Sequence, residues 1–290
     1  MIRENYFLTQ FYSEQVIAII HLASQKISLL LIPKRNKTDI IKEDVVYRLY
    51  YLFPLILFTV ASCTEEKAPQ QTPAADLPSY SQAAKAYQEK SRNKIAPADR
   101  AVMKQASESL AKTLLDPGLK LGETAPDFTL PDPTGQKVSL ASLLKEGPVV
   151  LVFYRGAWCP YCNMHLHVLN ESLPEIRRYG AQLVAITPQK PDKSAEQLKK
   201  DGYPFLVLSD LDNSVMKAYR LFYELDPELV KVYKKFGLNV ENFNGPGRNV
   251  LPVPGTFVLD QKGVVRARHA DTDYTKRMEP AEIIKILKAL

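Results

Sequence analysis

Apolar and polar positions change their period repeatedly along the second half of the chain, and each change predicts a different element. Phe128 to Leu130 and Lys137 to Leu140 read as the two strands of a hairpin around Asp132, Pro133 and Gly135. Val149 to Tyr154 is apolar without interruption and bounded by Gly147 and Gly156, the pattern of a central strand buried on both faces. The period then becomes helical, with Leu166, Leu169, Leu173 and Ile176 on one stripe that stops before Gly180 and is kinked or split at Pro174. Strand Gln182 to Thr187, helix Ser194 to Lys200, strand Phe205 to Leu208 and helix Asn213 to Leu221 follow. The tail is predicted as strand Thr256 to Leu259, a turn over 260–263, strand Val264 to Arg268 and a helix from Pro280 to Leu287. Strands alternating with helices, closed by a hairpin, predict an α/β fold with a mixed central sheet flanked by helices.

Upstream, Val102, Ala106, Leu110 and Leu114 recur every four residues, so Ser79 to Leu115 is expected to be a helical extension with a start near Pro97. Residues 64–78, TEEKAPQQTPAADLP, have almost nothing to bury and read as a flexible tether. Tyr50 to Ala61 is an apolar run too short for a comfortable membrane span, preceded by Arg48 and followed by Ser62 and Cys63. That shape resembles a bacterial lipoprotein signal. The resemblance implies lipidation of Cys63, an envelope location, and a domain facing the periplasm or cell exterior. Residues 1–44 carry a further apolar run, Val16 to Ile32, which fits either a translation start near Val45 or a genuine membrane segment; the former is preferred. The expected divisions are therefore 1–62 (signal or extension), 63–78 (tether), 79–118 (helical extension) and 119–290 (main domain).

A chain of 290 residues with 46% hydrophobic composition has ample material for a core, which excludes disorder of the whole. Its net charge of +6 is interleaved with acids rather than blocked, so no nucleic-acid partner is expected.

Chemistry concentrates in FYRGAWCPYC, residues 153–162, which holds two of the three cysteines at the junction of the predicted central strand and helix. A Cys-x-x-Cys there points to a thioredoxin-like domain. Cys159 would sit at the helix mouth, where unpaired N–H groups and the helix dipole favour a thiolate. Cys162 lies one turn on, within reach of a disulfide. Zinc would need further ligands; His165 and His167 are expected on the helix surface, and no metal or cofactor is expected. Trp158 reads as a lid over the cysteines or ordinary packing, and Arg155 as either a positive charge beside the sulfur or a surface ion pair. The insertion from Phe222 to Val250 is expected beside the site or as a partner surface.

From Gly122 to the C-terminus the chain resembles the peroxiredoxin-like branch of the alkyl hydroperoxide reductase and thiol-specific antioxidant family, within the thioredoxin-like superfamily. The stretches that carry the likeness are GETAPDFTLPDPTGQKVSL, GPVVLVFYRGAWCPYC, PFLVLSD, LPVPGTFVLD and DTDYTKRMEPAEI. Typical members have Pro-x-x-x-Thr-x-x-Cys after a Phe-Tyr pair. Aligned on Phe153-Tyr154, that register puts the proline at Arg155, the threonine at Cys159 and the peroxidatic cysteine at Cys162. The family's later arginine falls at Pro254, which resembles the cis-proline that faces the disulfide in thioredoxins. The resemblance implies a peroxidase acting on hydrogen peroxide or organic hydroperoxides and recycled by a thioredoxin-type dithiol reductant. It implies Cys162 and Cys159 as catalytic residues; Arg155, standing where the family has proline, is a catalytic candidate as a replacement for the missing positive charge, Trp158, Tyr154 and Pro254 are substrate-binding candidates, and a monomer or homodimer is expected. Two alternatives stay open: a membrane-tethered thiol-disulfide oxidoreductase with Cys159 as nucleophile, and a redox-inert binding module.

Overall fold

The computed structural model describes residues 77–91 and 95–290; the lipoprotein-like signal, Cys63 and most of the tether lie outside them. Two helices open the described chain, α1 (Tyr80–Ser91) and α2 (Pro97–Thr113). The expected single helical stretch is thus divided, and the second helix starts at the proline, whose missing N–H costs nothing in a first turn.

The hairpin follows as β1 (Thr129–Pro131) and β2 (Lys137–Ser139), in antiparallel register around Asp132. The carboxylate of Asp132 accepts the backbone N–H of Thr134 at 2.8 Å and that of Gln136 at 2.9 Å, which closes the turn. Next come α3 (Leu140–Glu146), β3 (Val149–Phe153), α4 (Pro160–Glu171) and α5 (Leu173–Arg178). The long apolar stripe is split at Ser172, with Pro174 in the first turn of α5. The chain continues with β4 (Gln182–Thr187), α6 (Pro191–Asp201), β5 (Leu206–Ser209) and α7 (Ser214–Ala218). The inserted region folds as β6 (Phe222–Glu224), α8 (Pro227–Lys235), α9 (Glu241–Asn244) and β7 (Val250–Pro252). Strands β8 (Gly255–Leu259) and β9 (Val265–Ala270) and helix α10 (Pro280–Leu287) complete it.

The central sheet has the order β5-β4-β3-β8-β9, with β3 parallel to β4 and antiparallel to β8. This is the mixed central sheet that the alternating pattern predicts. Every residue of β3 is buried, because both faces of the sheet are covered. Alternation sends Val150, Val152 and Tyr154 to the core beneath α4 and α10, and Val149, Leu151 and Phe153 to the core on the opposite face. The insertion builds a smaller third cluster from Leu225, Leu229, Tyr233, Val240 and Leu251, onto which Met103 and Ala106 of α2 pack.

Candidate active site: a cysteine pair between two arginines

Strand β3 delivers the site by ending at it. Beyond Phe153 the backbone leaves the sheet through Tyr154 and Arg155 and turns sharply at Gly156, whose φ is 146°. A Cβ on Gly156 would stand 2.6 Å from Nε1 of Trp158, so only glycine lets the chain double back here. The N–H of Cys159 then donates to the Gly156 carbonyl at 3.1 Å, and Pro160 opens α4.

A buried amide network braces the same loop. Gln189, just beyond β4, accepts the Ala157 N–H at 3.1 Å, and Asn163 donates to the Ala157 carbonyl at 2.7 Å. Tyr154 donates its hydroxyl to Gln197 at 2.9 Å and accepts from Gln189 at 3.2 Å. Tyr154 is thus a buried structural anchor, tied to side chains from the loop after β4 and from α6 rather than open to a ligand.

Cys159 and Cys162 are free thiols, 0% and 1% exposed. Cys159 occupies the N-cap of α4 and Cys162 its first turn. The two share a hydrogen bond with opposite effects: burial first, and then that bond, push the Cys159 thiol well up. Burial also opposes ionisation of Cys162, but the Cys159 hydrogen bond, Arg277, Arg155 and a backbone hydrogen bond from Arg155 together bring its thiol down. The cations and the shared hydrogen bond thus favour the charged form at Cys162 and the proton on Cys159.

Two guanidinium groups flank that charge. Arg277, 8% exposed, points Nη2 at the Cys162 sulfur from 3.5 Å. Its other nitrogen donates to the carbonyls of Tyr274 and, at 2.6 Å, Lys276, which fixes the fork. Helix α1 holds the segment that carries it: Tyr80 donates its hydroxyl to the Thr275 carbonyl at 2.5 Å, and Glu279 accepts the N–H groups of Tyr80 and Ser81 at 2.9 and 2.8 Å. Arg155 is 3% exposed, not the surface ion pair that one reading allowed. Its guanidinium lies 5.0 Å from the Trp158 ring centroid and 4.4 Å from that of Tyr274, and it donates to the Tyr233 hydroxyl at 2.6 Å. Trp158 and Tyr233 pack at 6.0 Å between centroids, so Trp158 covers Arg155 beside the cysteines.

Other expectations need correction. His165 is buried, not on the helix surface: it hydrogen-bonds the Met278 carbonyl at 3.1 Å and meets Tyr80 edge-on at 5.4 Å. Burial and then Arg277 push its basicity well down, so it is a neutral packing residue. His167 is exposed, beside Glu171. Pro254 is buried between β7 and β8 in a trans peptide, so it does not reproduce a cis-proline. Sequence reading also missed Arg277, Tyr233, Tyr274 and Gln189; the one available signal for Arg277 and Tyr274 was the family-like stretch DTDYTKRMEPAEI.

The family model described as AhpC/TSA matches residues 121–268, slightly more than half of the chain. The chain belongs to the AhpC/TSA family. Among curated proteins it is 31% identical over 169 residues to the chloroplastic peroxiredoxin Q of Oryza sativa subsp. japonica, covering 58% of this chain and 67% of that one. To peroxiredoxin Bcp of Escherichia coli (strain K12) it is 34% identical over 107 residues, 37% of this chain and 67% of that one. Among solved structures, peroxidoxin BcpB from Mycobacterium tuberculosis aligns at 24% identity and a TM-score of 0.47, over 59% of this chain and 98% of that one. The matched segment of this AhpC/TSA member includes both cysteines and Arg155 but ends before Arg277.

Proposed function

We propose that the protein is a thiol-dependent peroxidase in which Cys162 attacks the hydroperoxide and Cys159 resolves the product. The observation that carries this assignment is the 3.5 Å approach of Arg277 to the Cys162 sulfur, with the Cys159 thiol hydrogen-bonded on the same sulfur. A thiolate is the nucleophile, and this arrangement favours it at Cys162 over Cys159.

The Cys162 thiolate attacks one oxygen of ROOH and the O–O bond breaks. Sulfur keeps one oxygen as a sulfenic acid, and the other leaves as ROH after taking a proton. The positive charge of Arg277 lowers the cost of the charge that develops on the departing oxygen. The sulfur of Cys159 then displaces the hydroxyl from Cys162, releasing water and forming the disulfide. An external dithiol of thioredoxin type returns the pair to thiols by exchange. Because both sulfurs are buried, that exchange requires the site to open.

The competing thiol-disulfide oxidoreductase reading needs Cys159 to attack first, and the raised, buried Cys159 thiol argues against it. We also place the protein in the bacterial envelope, lipid-anchored at Cys63 on its polar tether, acting as a monomer or homodimer; the short apolar run ending at that cysteine supports this. Metabolic labelling with a fatty acid should tag the parent and not Cys63→Ser.

Stopped-flow fluorescence of the single tryptophan, Trp158, tests the chemistry in the full chain with hydrogen peroxide. Rapid oxidation that survives in Cys159→Ser and disappears in Cys162→Ser is expected. Oxidation no faster than a free thiol, with rapid disulfide exchange that depends on Cys159, would overturn the peroxidase reading.

A further inference from the structure

A cavity of about 540 Å³ lies between α2 and the inserted region, within the size range of ligand sites. Its lining is mixed, with an apolar strip in which Ala106 and Leu110 of α2 face Phe222 and Leu229. Lys235 of α8 pairs with the Asp99 carboxylate at 2.7 Å, which fastens α2 over this space. Arg155, Tyr223, Tyr233 and Tyr274 supply its cationic and phenolic lining, and serines and threonines the remaining neutral polar lining. The acids that also line it, Glu224 and Asp226, are exposed, and Asp226 caps α8.

Arg155 is the unusual member. It is a buried cation that makes no ion pair with an acid among the described residues, and its Nε has no hydrogen-bond partner. The Tyr223 and Tyr274 phenols beside it are neutral, so the nearby group that can carry negative charge is the cysteine pair, whose Cys162 sulfur stands 3.5 Å from Nη2 of Arg277. Disulfide formation removes that charge and leaves Arg155 and Arg277 buried with no anion between them, an arrangement that is costly in a low-dielectric interior. Tyr233 accepts from Arg155 through its oxygen, so its own proton is free to donate to a group in the cavity.

We propose that this cavity binds an organic carboxylate with an apolar tail, the carboxylate on the Arg155 side and the tail between α2 and α8, and that it does so preferentially when the cysteines are a disulfide. The apolar strip selects the tail, while a guanidinium with adjacent phenols selects a carboxylate over a neutral head. By linkage the same ligand holds the disulfide against reduction, since whatever binds one redox state more tightly stabilises that state by the same factor. The proposal rests on the dithiol cycle put forward above and on no property of the peroxide.

Isothermal titration calorimetry with sodium decanoate tests it, using the full chain with Cys63→Ser, reduced by dithiothreitol or oxidised to the disulfide by diamide. Oxidation by diamide separates a failure of this site from a failure of the peroxidase reading. Binding to the disulfide form is expected to be roughly tenfold tighter than to the dithiol form, a usual size for coupling between sites. The double variant Cys159→Ser/Cys162→Ser, which has no thiolate to compete, should bind as the disulfide form does. Arg155→Met should abolish the difference between redox states. Ala106→Trp, which fills the α2 side of the cavity, should abolish binding while leaving oxidation by hydrogen peroxide unchanged. Equal affinity in the two redox states, no binding to either, or undiminished binding in Ala106→Trp would overturn the proposal.

Discussion

Arg277 places Nη2 3.5 Å from the sulfur of Cys162, although 115 positions separate the two residues in the chain. The contact joins the segment before α10 to the first turn of α4, and so makes the C-terminal end of the domain part of its chemical centre. A cation so close to a buried thiol stabilises the charged form, which offsets the desolvation that would otherwise keep the sulfur protonated.

Replacing that cation should therefore have a defined effect. Arg277→Met is expected to move the thiolate titration of the cysteine pair upward and to slow oxidation by hydrogen peroxide at neutral pH by roughly tenfold or more. Arg277→Lys should recover part of the loss, because it restores charge without the planar fork. The ultraviolet absorbance of the thiolate, followed against pH, measures the shift directly; an unmoved titration would remove Arg277 from the mechanism.

The two cysteines should differ in what they become. In Cys159→Ser, peroxide is expected to leave Cys162 as a sulfenic acid that dimedone captures, since no thiol remains to condense with it. In Cys162→Ser the raised Cys159 thiol should react no faster than an ordinary thiol and give little adduct. Intact-mass spectrometry after peroxide and dimedone distinguishes the two, and the opposite pattern would exchange their roles.

Helix α1 acts on the site indirectly, through Glu279. The Glu279 carboxylate accepts the N–H groups of Tyr80 and Ser81, orphan donors at the start of the helix. Glu279→Ala should cost about 0.5–2 kcal/mol, the usual cost of losing an N-terminal cap. Urea unfolding gives that cost, and limited proteolysis should show α1 cut sooner. Because Arg277 is held by the same segment, the thiolate titration should shift upward as well. A loss of stability with no change in titration would confine α1 to a structural role.

Asp210 supplies a pH dependence of stability. Burial pushes its carboxyl up to about 6, despite hydrogen bonds from the Val215 and Met216 N–H groups. A folded-state value above the unfolded one means that the unfolded chain releases its proton first. Stability from this group is therefore full below about pH 4 and declines as pH rises to about 6, by on the order of 2–3 kcal/mol. Asp210→Asn should remove that decline. Urea midpoints of parent and variant, compared across this interval, should diverge with pH; parallel curves would contradict it.

Local pattern was enough to define most elements of the main domain. The strand Gln182–Thr187 and the helix Pro280–Leu287 have the bounds that their periodicity predicts, because side-chain alternation and helical stripes are properties of neighbouring residues. The motif at 159–162 and its place between strand and helix were legible for the same reason, as was the break near Pro174. Helix α7 came out shorter than expected, over 214–218, and the chain turns at Arg220 with φ at 56°.

What the sequence could not determine is which sulfur carries the charge. Helix-mouth reasoning favours Cys159 and family register favours Cys162, and both are local arguments about one decapeptide. Tertiary structure favours Cys162, because it delivers cations from distant positions: Arg277 from the segment before α10, and Arg155 turned inward under Trp158, Tyr233 and Tyr274. His165 shows the same limit, since its burial depends on Tyr80 and Met278, which converge on it only in the folded chain. Secondary structure was readable from spacing along the chain, whereas the electrostatics of the site depend on spacing through it.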